Sequence, residues 1–297
     1  MRFKLYLLTL CFIIILIGGC VAPRDNQAII TSLSLSLNAR AEVLNTSYFP
    51  LQTLQMLSGT SSILRVYIEG DGHAWVNRRR PSRDPTPRNL MVLELMGQDT
   101  YPDCAYLARP CQFVWGKHCN IPVWTSLRYS EPMVDILNEA LNQLKGKGPY
   151  EKIELIGFSG GGTLALLLAS RRDDVASVRT VAGNLCPSFV NWFHGVSPMA
   201  ASLNPVDFSA KLATIPQLHF IGGKDSIITS DVYDNYRSFF DTKDCLSCCV
   251  NPGAGHNFEW SQVWLELLKI KVKCRSKDKL IPFPFVLPTR EIGRSPL

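Results

Sequence analysis

The sequence of 297 residues lacks the features that would assign it to a specialised class. It has no internal repeat, which argues against a repeat architecture, and no compositionally biased stretch away from its ends. Charged residues amount to 19%, and the basic ones are not interleaved with aromatics, so we predict no nucleic-acid partner. The longest apolar run, Leu5 to Ile17, is shorter than a membrane-spanning helix requires. With 46% hydrophobic residues, the composition is that of a globular chain with a sizeable core.

The amino terminus predicts an export signal rather than part of the fold. A basic start, Met1 to Lys4, precedes the apolar run, which ends in Ile17-Gly18-Gly19-Cys20. This tetrad resembles the lipobox of bacterial lipoproteins, whose cysteine becomes the lipidated first residue; a plain secretory signal cleaved nearby is the alternative. We therefore expect residues 1–19 to be a lipoprotein signal peptide and Cys20 to carry a lipid anchor. Val21 follows the cysteine, which favours the outer membrane of a bacterial cell envelope, with the protein facing the periplasm.

The number and positions of the cysteines predict disulfides. Two of the ten precede Val21, and eight follow: Cys104, Cys111, Cys119, Cys186, Cys245, Cys248, Cys249 and Cys274. An even number in an exported chain favours bridges over free thiols. Their positions form two groups of four, so we expect pairing within each group, with Cys274 bonded to Cys245, Cys248 or Cys249. The Cys245-x-x-Cys248 spacing could also suggest zinc or thiol redox chemistry, but no second such pair exists, so we predict no metal site.

The net charge of +6 is modest, but five arginines lie close together. They are Arg78, Arg79, Arg80, Arg83 and Arg88, in a segment interrupted by prolines. A run of this kind is usually a solvated face. It could also attract an acidic substrate or lipid head groups.

The distribution of apolar residues predicts alternating strands and helices. The strands are Ile63–Glu69, a segment from Tyr106 towards Trp115, Lys152–Phe158, Val178–Ala182 and Gln217–Ile221, after antiparallel edge strands within Thr31–Leu57; the helices are Asn89–Met96, Ser130–Leu144, Thr163–Ser170 and Trp260–Val272. This alternation indicates an α/β fold with a mostly parallel central sheet covered by helices on both faces. Residues 20–297 are expected to form one domain, in which residues 184–212 are long enough to supply a cap over a site.

The stretch Gly157-Phe158-Ser159-Gly160-Gly161 joins a buried strand directly to a helix, without a loop between them. A chain that turns this sharply forces the serine into a strained backbone conformation, and its neighbours must be small. The serine hydroxyl then stands exposed at the carboxyl end of the strand, beside the first amides of the helix. This is the Gly-x-Ser-x-Gly pattern of a nucleophile elbow, which makes Ser159 the candidate nucleophile.

A serine nucleophile needs a base, and the base needs an orienting acid. Of the five histidines, only His256 comes late enough to follow an acid placed beyond the elbow, whereas His219 lies within a strand and is expected in the core. Asp225 follows Gln217–Ile221 in a glycine-rich turn and is the candidate acid. Asp231 and Asp234 lie further on, in a predicted helix, and are expected to be surface charges.

Developing negative charge on a tetrahedral intermediate needs amide donors. One is expected from Gly160, which follows the nucleophile at the start of a helix. The second is expected from the loop after Ile63–Glu69, where the Asp71 amide is the candidate and Gly70 or Gly72 are alternatives. The loop could also be an ordinary tight turn.

With these parts in this order, residues 60–272 resemble the α/β-hydrolase family of serine hydrolases, on Gly157-x-Ser159-x-Gly161, Asp225 and His256. The resemblance implies hydrolysis of carboxylic esters or related acyl bonds through an acyl-enzyme on Ser159, with a small-molecule or lipid ester as substrate and without a cofactor. Peptidase and thioesterase activities belong to the same chemistry. Glu69-Gly70-Asp71-Gly72 departs from the His-Gly-Gly-Gly loop of many lipases. The competing hypothesis is a non-catalytic envelope lipoprotein that binds a partner on a hydrolase-like scaffold.

Overall fold

The computed structural model describes residues 25–275 and 285–286 and is built around a twisted sheet of nine strands. Along the chain, the strands of this sheet are β1 (Arg40–Asn45), β2 (Pro50–Leu57), β3 (Ile63–Ile68), β6 (Asp103–Leu107), β7 (Lys152–Phe158), β8 (Val175–Val181), β9 (Gln217–Gly222), β10 (Leu246–Asn251) and β11 (Phe285–Val286). Two short strands, β4 (Trp75–Asn77) and β5 (Arg80–Pro81), form a separate antiparallel hairpin.

The strands lie in the order β1-β2-β6-β3-β7-β8-β9-β10-β11. All neighbours from β6 to β11 are parallel, whereas β2 pairs antiparallel with both β1 and β6. The predicted mostly parallel sheet is therefore confirmed. Because parallel strands end at the same edge, the loops after β3, β6, β7, β8, β9 and β10 meet at one end of the molecule.

Helices cover both faces of this sheet. The helices are α1 (Asn26–Ser36), α2 (Met91–Gln98), α3 (Ile121–Trp124), α4 (Glu131–Lys145), α5 (Gly160–Ala169), α6 (Pro187–Phe193), α7 (Ser209–Leu212), α8 (Ser230–Ser238) and α9 (Trp260–Leu268), with a 3₁₀ turn at Pro205–Phe208. One core cluster contains residues of α4, α5 and α8, and the other contains residues of α1, α2 and α9. All ten residues of α5 are buried, so the helix that follows the elbow is held in the protein interior.

Three predicted segments differ from the structure. Edge strands were expected within Thr31–Leu57, but the first residues of this segment belong to α1, which begins where the Asp25 carboxylate accepts the amides of Gln27 and Ala28. The strand from Tyr106 ends at Leu107. It cannot extend to Trp115 as predicted, because Cys111 and Phe113, which lie between, have positive φ angles of 70° and 63°.

The third difference is β10, which is not among the predicted strands. Its six residues, Leu-Ser-Cys-Cys-Val-Asn, include only two of the branched aliphatic residues that mark the other parallel strands. The strand forms because it pairs with β9 over its whole length, which is tertiary context that a local pattern does not contain.

The disulfide prediction is correct for four cysteines and wrong for the other four. Cys245 is bonded to Cys274 and Cys111 to Cys119, each within its predicted group. The remaining four are free: Cys104, Cys186, Cys248 and Cys249. Adjacent residues of a strand point to opposite faces. Cys248 and Cys249 accordingly join different core clusters, and within each group of four the two remaining cysteines are separated by the sheet.

The predicted signal peptide and Cys20 lie outside the described residues. In the part of the chain that the structure describes, no helix has the length and apolar character needed to cross a membrane.

Candidate active site

Ser159 lies at the junction of β7 and α5 in a strained conformation, with φ 50° and ψ −119°. Backbone hydrogen bonds hold it there: its amide donates to the Val181 carbonyl (3.0 Å), and its carbonyl accepts the amides of Gly162 (3.0 Å) and Asn184 (2.9 Å). A Cβ at Gly157 would overlap the Gly161 carbonyl. The predicted elbow is therefore present, including the requirement for small neighbours.

His256 and Asp225 form a hydrogen-bonded chain with the serine. His256 Nε2 lies 3.0 Å from Ser159 Oγ, and His256 Nδ1 lies 2.8 Å from Asp225 Oδ2. The other Asp225 oxygen, Oδ1, accepts the amides of Ile227 (2.8 Å) and Ile228 (2.9 Å). The Asp225 side chain is fully buried and the His256 side chain is 12% exposed. Both oxygens of the acid are thus fixed, and of the two side chains only that of the base is partly exposed.

The loops that carry the acid and the base are bonded to each other. The amide of Lys224 donates to the Ala254 carbonyl (2.9 Å), and the amide of Gly223 donates to the Asn251 carbonyl (2.8 Å). Because these loops follow the adjacent strands β9 and β10, sheet pairing sets the distance between Asp225 and His256.

The alternative candidates lie elsewhere. His219 is buried in β9, where burial lowers its pKa to about 3, and its ring contacts Thr180, Gln217, Tyr233 and Tyr236. The expectation of a core histidine is therefore confirmed. Asp231 lies on α8 and accepts a hydrogen bond from the Thr229 hydroxyl, so Asp225 is the acid that the structure brings to His256.

Asp71, predicted for its amide, also places its carboxylate against the elbow. A Cβ on Gly160 would overlap Asp71 Oδ1 and lie 2.5 Å from the Tyr129 hydroxyl. The carboxylate is bonded to the Arg109 guanidinium, lies 3.2 Å from Arg128 Nε, and accepts the Tyr129 hydroxyl at 3.0 Å. Burial would raise the pKa of Asp71, but Arg128 and Arg109 outweigh it and lower that pKa below its ordinary value. Asp71 is thus ionised at neutral pH.

The backbone of this loop separates one of the three candidate donors from the other two. The Gly70 amide is already bonded to Glu69 Oε1 at 2.8 Å. Among the described residues, no acceptor is bonded to the amide of Asp71 or to that of Gly72. Asp71 therefore stays the predicted second donor, with Gly72 as the alternative.

Comparisons with known proteins identify the family and the fold. Residues 96–250 match the family model described as serine hydrolase (FSH1), which covers more than half of the chain. The chain belongs to the FSH1 serine hydrolase family. The matched residues include Ser159 and Asp225, whereas Asp71 and His256 lie outside them. The sequence comparison with curated proteins found no match to this FSH1-family chain.

Solved structures place this serine hydrolase among α/β-hydrolase folds. A bacterial membrane phospholipase A, described as a virulence factor, is 15% identical, with a TM-score of 0.56 over 90% of this chain and 97% of its own. The Pyrococcus furiosus esterase Pf2001 is also 15% identical, with a TM-score of 0.56 over 80% and 91%. Naproxen esterase from Bacillus subtilis is 12% identical, with a TM-score of 0.55 over 83% and 98%. At these identities the similarity establishes the fold.

The sequence analysis missed Arg109, Arg128 and Tyr129, which surround Asp71 in this serine hydrolase. All three are buried or nearly so, and the guanidiniums of Arg109 and Arg128 lie 5.3 Å and 5.1 Å from the Tyr129 ring centroid. A signal existed for Arg109, because it stands two residues beyond the buried strand β6, at the sheet edge that holds the site. No local pattern identified Arg128 or Tyr129, which precede α4.

Proposed function

We propose that this serine hydrolase cleaves carboxylic esters through an acyl-enzyme on Ser159. The observation that carries the proposal is the continuous chain from Asp225 through His256 to Ser159 Oγ, with hydrogen bonds of 2.8 and 3.0 Å. A serine hydroxyl is a weak nucleophile by itself, and this arrangement supplies the base and the orienting acid that activate it.

In the first half of the proposed reaction, Ser159 Oγ attacks the ester carbonyl while His256 Nε2 takes its proton. The buried Asp225 carboxylate accepts a hydrogen bond from the Nδ1–H of His256, which keeps Nε2 free to act as base and stabilises the imidazolium that forms. The amides of Gly160 and Asp71 receive the oxyanion. His256 then donates its proton to the departing alcohol, which leaves an acyl group on Ser159.

In the second half, water replaces the alcohol. His256 takes a proton from the water, whose oxygen attacks the acyl carbonyl, and then returns that proton to Ser159 Oγ as the carboxylic acid leaves. The same two amides bind the second oxyanion. The reaction balances as ester plus water to acid plus alcohol, and each proton moves through His256.

The segment 184–212 is proposed as a cap that contributes to substrate binding. Its first residue is bonded to the elbow through the Asn184 amide, and the Leu203 amide donates to the Tyr129 carbonyl at 2.9 Å. A cavity of about 490 Å³ opens in this segment, among residues that include Pro187, Val196 and Met199. Its volume lies within the usual range of small-ligand sites, so we propose that it receives an apolar part of the ester.

The proposed substrate is a small-molecule or lipid ester, because the neighbours with this fold include both a phospholipase A and esterases. The alternative of a non-catalytic lipoprotein has less support, since a binding scaffold does not need an aligned serine, histidine and buried aspartate.

Export also remains a proposal: lipidation of Cys20 would place the protein at the bacterial envelope, and Cys20→Ser should then move it out of the membrane fraction.

A substrate screen tests the proposed function. The purified protein should hydrolyse p-nitrophenyl esters, and its kcat/KM across graded acyl lengths would define the acyl preference. A matched amide and a matched thioester in the same screen separate esterase from peptidase and thioesterase activity. Failure to turn over every ester, in a protein with a cooperative thermal transition, would contradict the proposal and favour the binding alternative.

A further inference from the structure

Most of the large apolar side chains that the described part of the protein exposes lie at one edge of the sheet, the edge that holds Ser159. There are fourteen such side chains, and ten belong to the connections between sheet strands at this edge, including the short elements within those connections. We call these ten the apolar rim; its members are Tyr48, Trp75, Val76, Trp115, Ile121, Trp192, Phe193, Val196, Ile227 and Phe258. A concentration of exposed apolar surface at one end of a protein marks an interaction site.

The rim is connected to the candidate active site by short contacts. Trp192 is 73% exposed, and two residues later His194 Nε2 lies 2.7 Å from the Ile227 carbonyl. The Ile227 amide in turn donates to Asp225 Oδ1. Phe258 stands two residues after His256. The apolar side chains after β8, β9 and β10 therefore surround the catalytic groups rather than a separate face.

A basic segment contains two members of the rim and lies beside the candidate active site. Residues 75–90 begin with Trp75 and contain five exposed arginines, with Asp84 as their sole acid. Among the described acids, none forms an ion pair with any of these arginines. The segment is fastened beside the site, because the His73 amide donates to the Pro85 carbonyl and Asn89 Nδ2 donates to the Asn257 carbonyl.

The other four exposed apolar side chains do not form a comparable surface. They belong to four different elements: Leu35 to α1, Val43 to β1, Phe239 to the end of α8, and Leu265 to α9. They provide matched positions for controls, because Phe239 and Leu265 are about as exposed as Phe193 and Val196.

We propose that the apolar rim and its arginines dock on the surface of an anionic phospholipid bilayer. Tryptophan and tyrosine favour the boundary between head groups and acyl chains, and exposed arginines are attracted to anionic head groups. A membrane satisfies both features at once, whereas an apolar protein partner would leave the five arginines unexplained. Docking turns the sheet edge that holds Ser159 towards the lipid. The proposal concerns binding and does not depend on acyl transfer by Ser159.

Tryptophan fluorescence with brominated lipids tests this proposal in the full chain. All six tryptophans lie between residues 75 and 264, so neither terminus contributes to the signal. The three exposed ones, Trp75, Trp115 and Trp192, are all in the rim, and the other three are buried. The vesicles contain dibrominated phosphatidylcholine and about a third phosphatidylglycerol. They should quench the fluorescence of the exposed tryptophans, because bromine on the acyl chains quenches only indole rings that come close to those chains. Attachment through the amino terminus alone would leave them unquenched.

Matched variants identify the surface. Phe193→Ser with Val196→Ser keeps every tryptophan and should raise the lipid concentration for half-maximal quenching about tenfold or more, since it removes apolar area from the interface. Phe239→Ser with Leu265→Ser should leave that concentration unchanged. Arg78→Glu, Arg79→Glu and Arg80→Glu together should abolish the preference for phosphatidylglycerol over phosphatidylcholine alone.

Three results would overturn the proposal. One is the absence of quenching by the anionic vesicles in folded protein. Another is equal weakening by the rim and control pairs. The third is a protein that sediments as a dimer, becomes a monomer when Phe193 and Val196 are substituted, and does not respond to vesicles. That result would assign the surface to a second copy of the chain.

Discussion

Gly160→Ala tests whether the Asp71 carboxylate keeps the loop of the second oxyanion donor in place. The new methyl group would overlap Asp71 Oδ1 and approach the Tyr129 hydroxyl to 2.5 Å, so one of them must move. The carboxylate is held by Arg109 and Arg128, whose side chains are only 6% and 12% exposed. The displacement should therefore reach the Asp71 backbone and its amide. Loss of one oxyanion donor typically lowers kcat by about 10²–10³-fold, or roughly 3–4 kcal/mol.

Gly162→Ala is the matched control. It adds the same methyl group two residues further along α5, where the nearest atom, Gly183 Cα, would lie 3.1 Å away and a small shift suffices. Steady-state kinetics on the best ester of the screen should give a control kcat within about threefold of the original protein. Thermal melts of both variants separate a local loss of activity from unfolding, since overpacking itself costs about 1–3 kcal/mol. If folded Gly160→Ala kept the original kcat, the carboxylate would not be what positions the donor.

Three further predictions concern the acid, the disulfide and a buried carboxyl. Asp225→Asn should lower kcat by about 10⁴-fold, because the amide favours the wrong His256 tautomer; near-normal activity would move the acid elsewhere. Cys274→Ser should remove roughly 3.5 kcal/mol of stability, measured by urea unfolding, because Cys245–Cys274 closes a loop with a sequence separation of 29 around His256; an unchanged midpoint would mean that the bridge is not formed. Burial raises the pKa of Glu69 to about 7, from an ordinary value of 4.5. The folded chain then holds this proton more tightly than the unfolded chain, so the free energy of unfolding should fall as the pH rises from about 4.5 to about 7. Glu69→Gln should remove that part of the slope, and an identical slope in both proteins would contradict the assignment.

The parts of the site that were predictable are those that a short stretch of chain determines. The elbow follows from a strand, a serine and a helix within one segment. Asp225 follows from a glycine-rich turn at the end of a later strand, and His256 follows from its position after that acid in the chain. The pairing of β9 with β10, which the local pattern did not predict, brings the acid and the base together.

The parts that were not predictable depend on contacts between distant segments. Asp71 is held by Arg109, Arg128 and Tyr129, which come from two other loops, and no spacing links them. The free cysteines depend on which face of the sheet each side chain occupies, which requires the register of β10. The helix α1 depends on the Asp25 cap, which outweighs the strand-like alternation of serine and leucine that follows it.

The central claim is that Ser159 forms an acyl-enzyme, and active-site labelling followed by intact-protein mass spectrometry tests it most directly. A fluorophosphonate should add one phosphonyl group per chain, peptide mapping should locate it on Ser159, and prior incubation with an ester substrate should slow the labelling. Ser159→Ala should prevent labelling and lower kcat on the order of a millionfold, with an unchanged thermal transition. A fluorophosphonate adduct that persists in folded Ser159→Ala, or ester turnover by that variant at the original rate, would contradict the account.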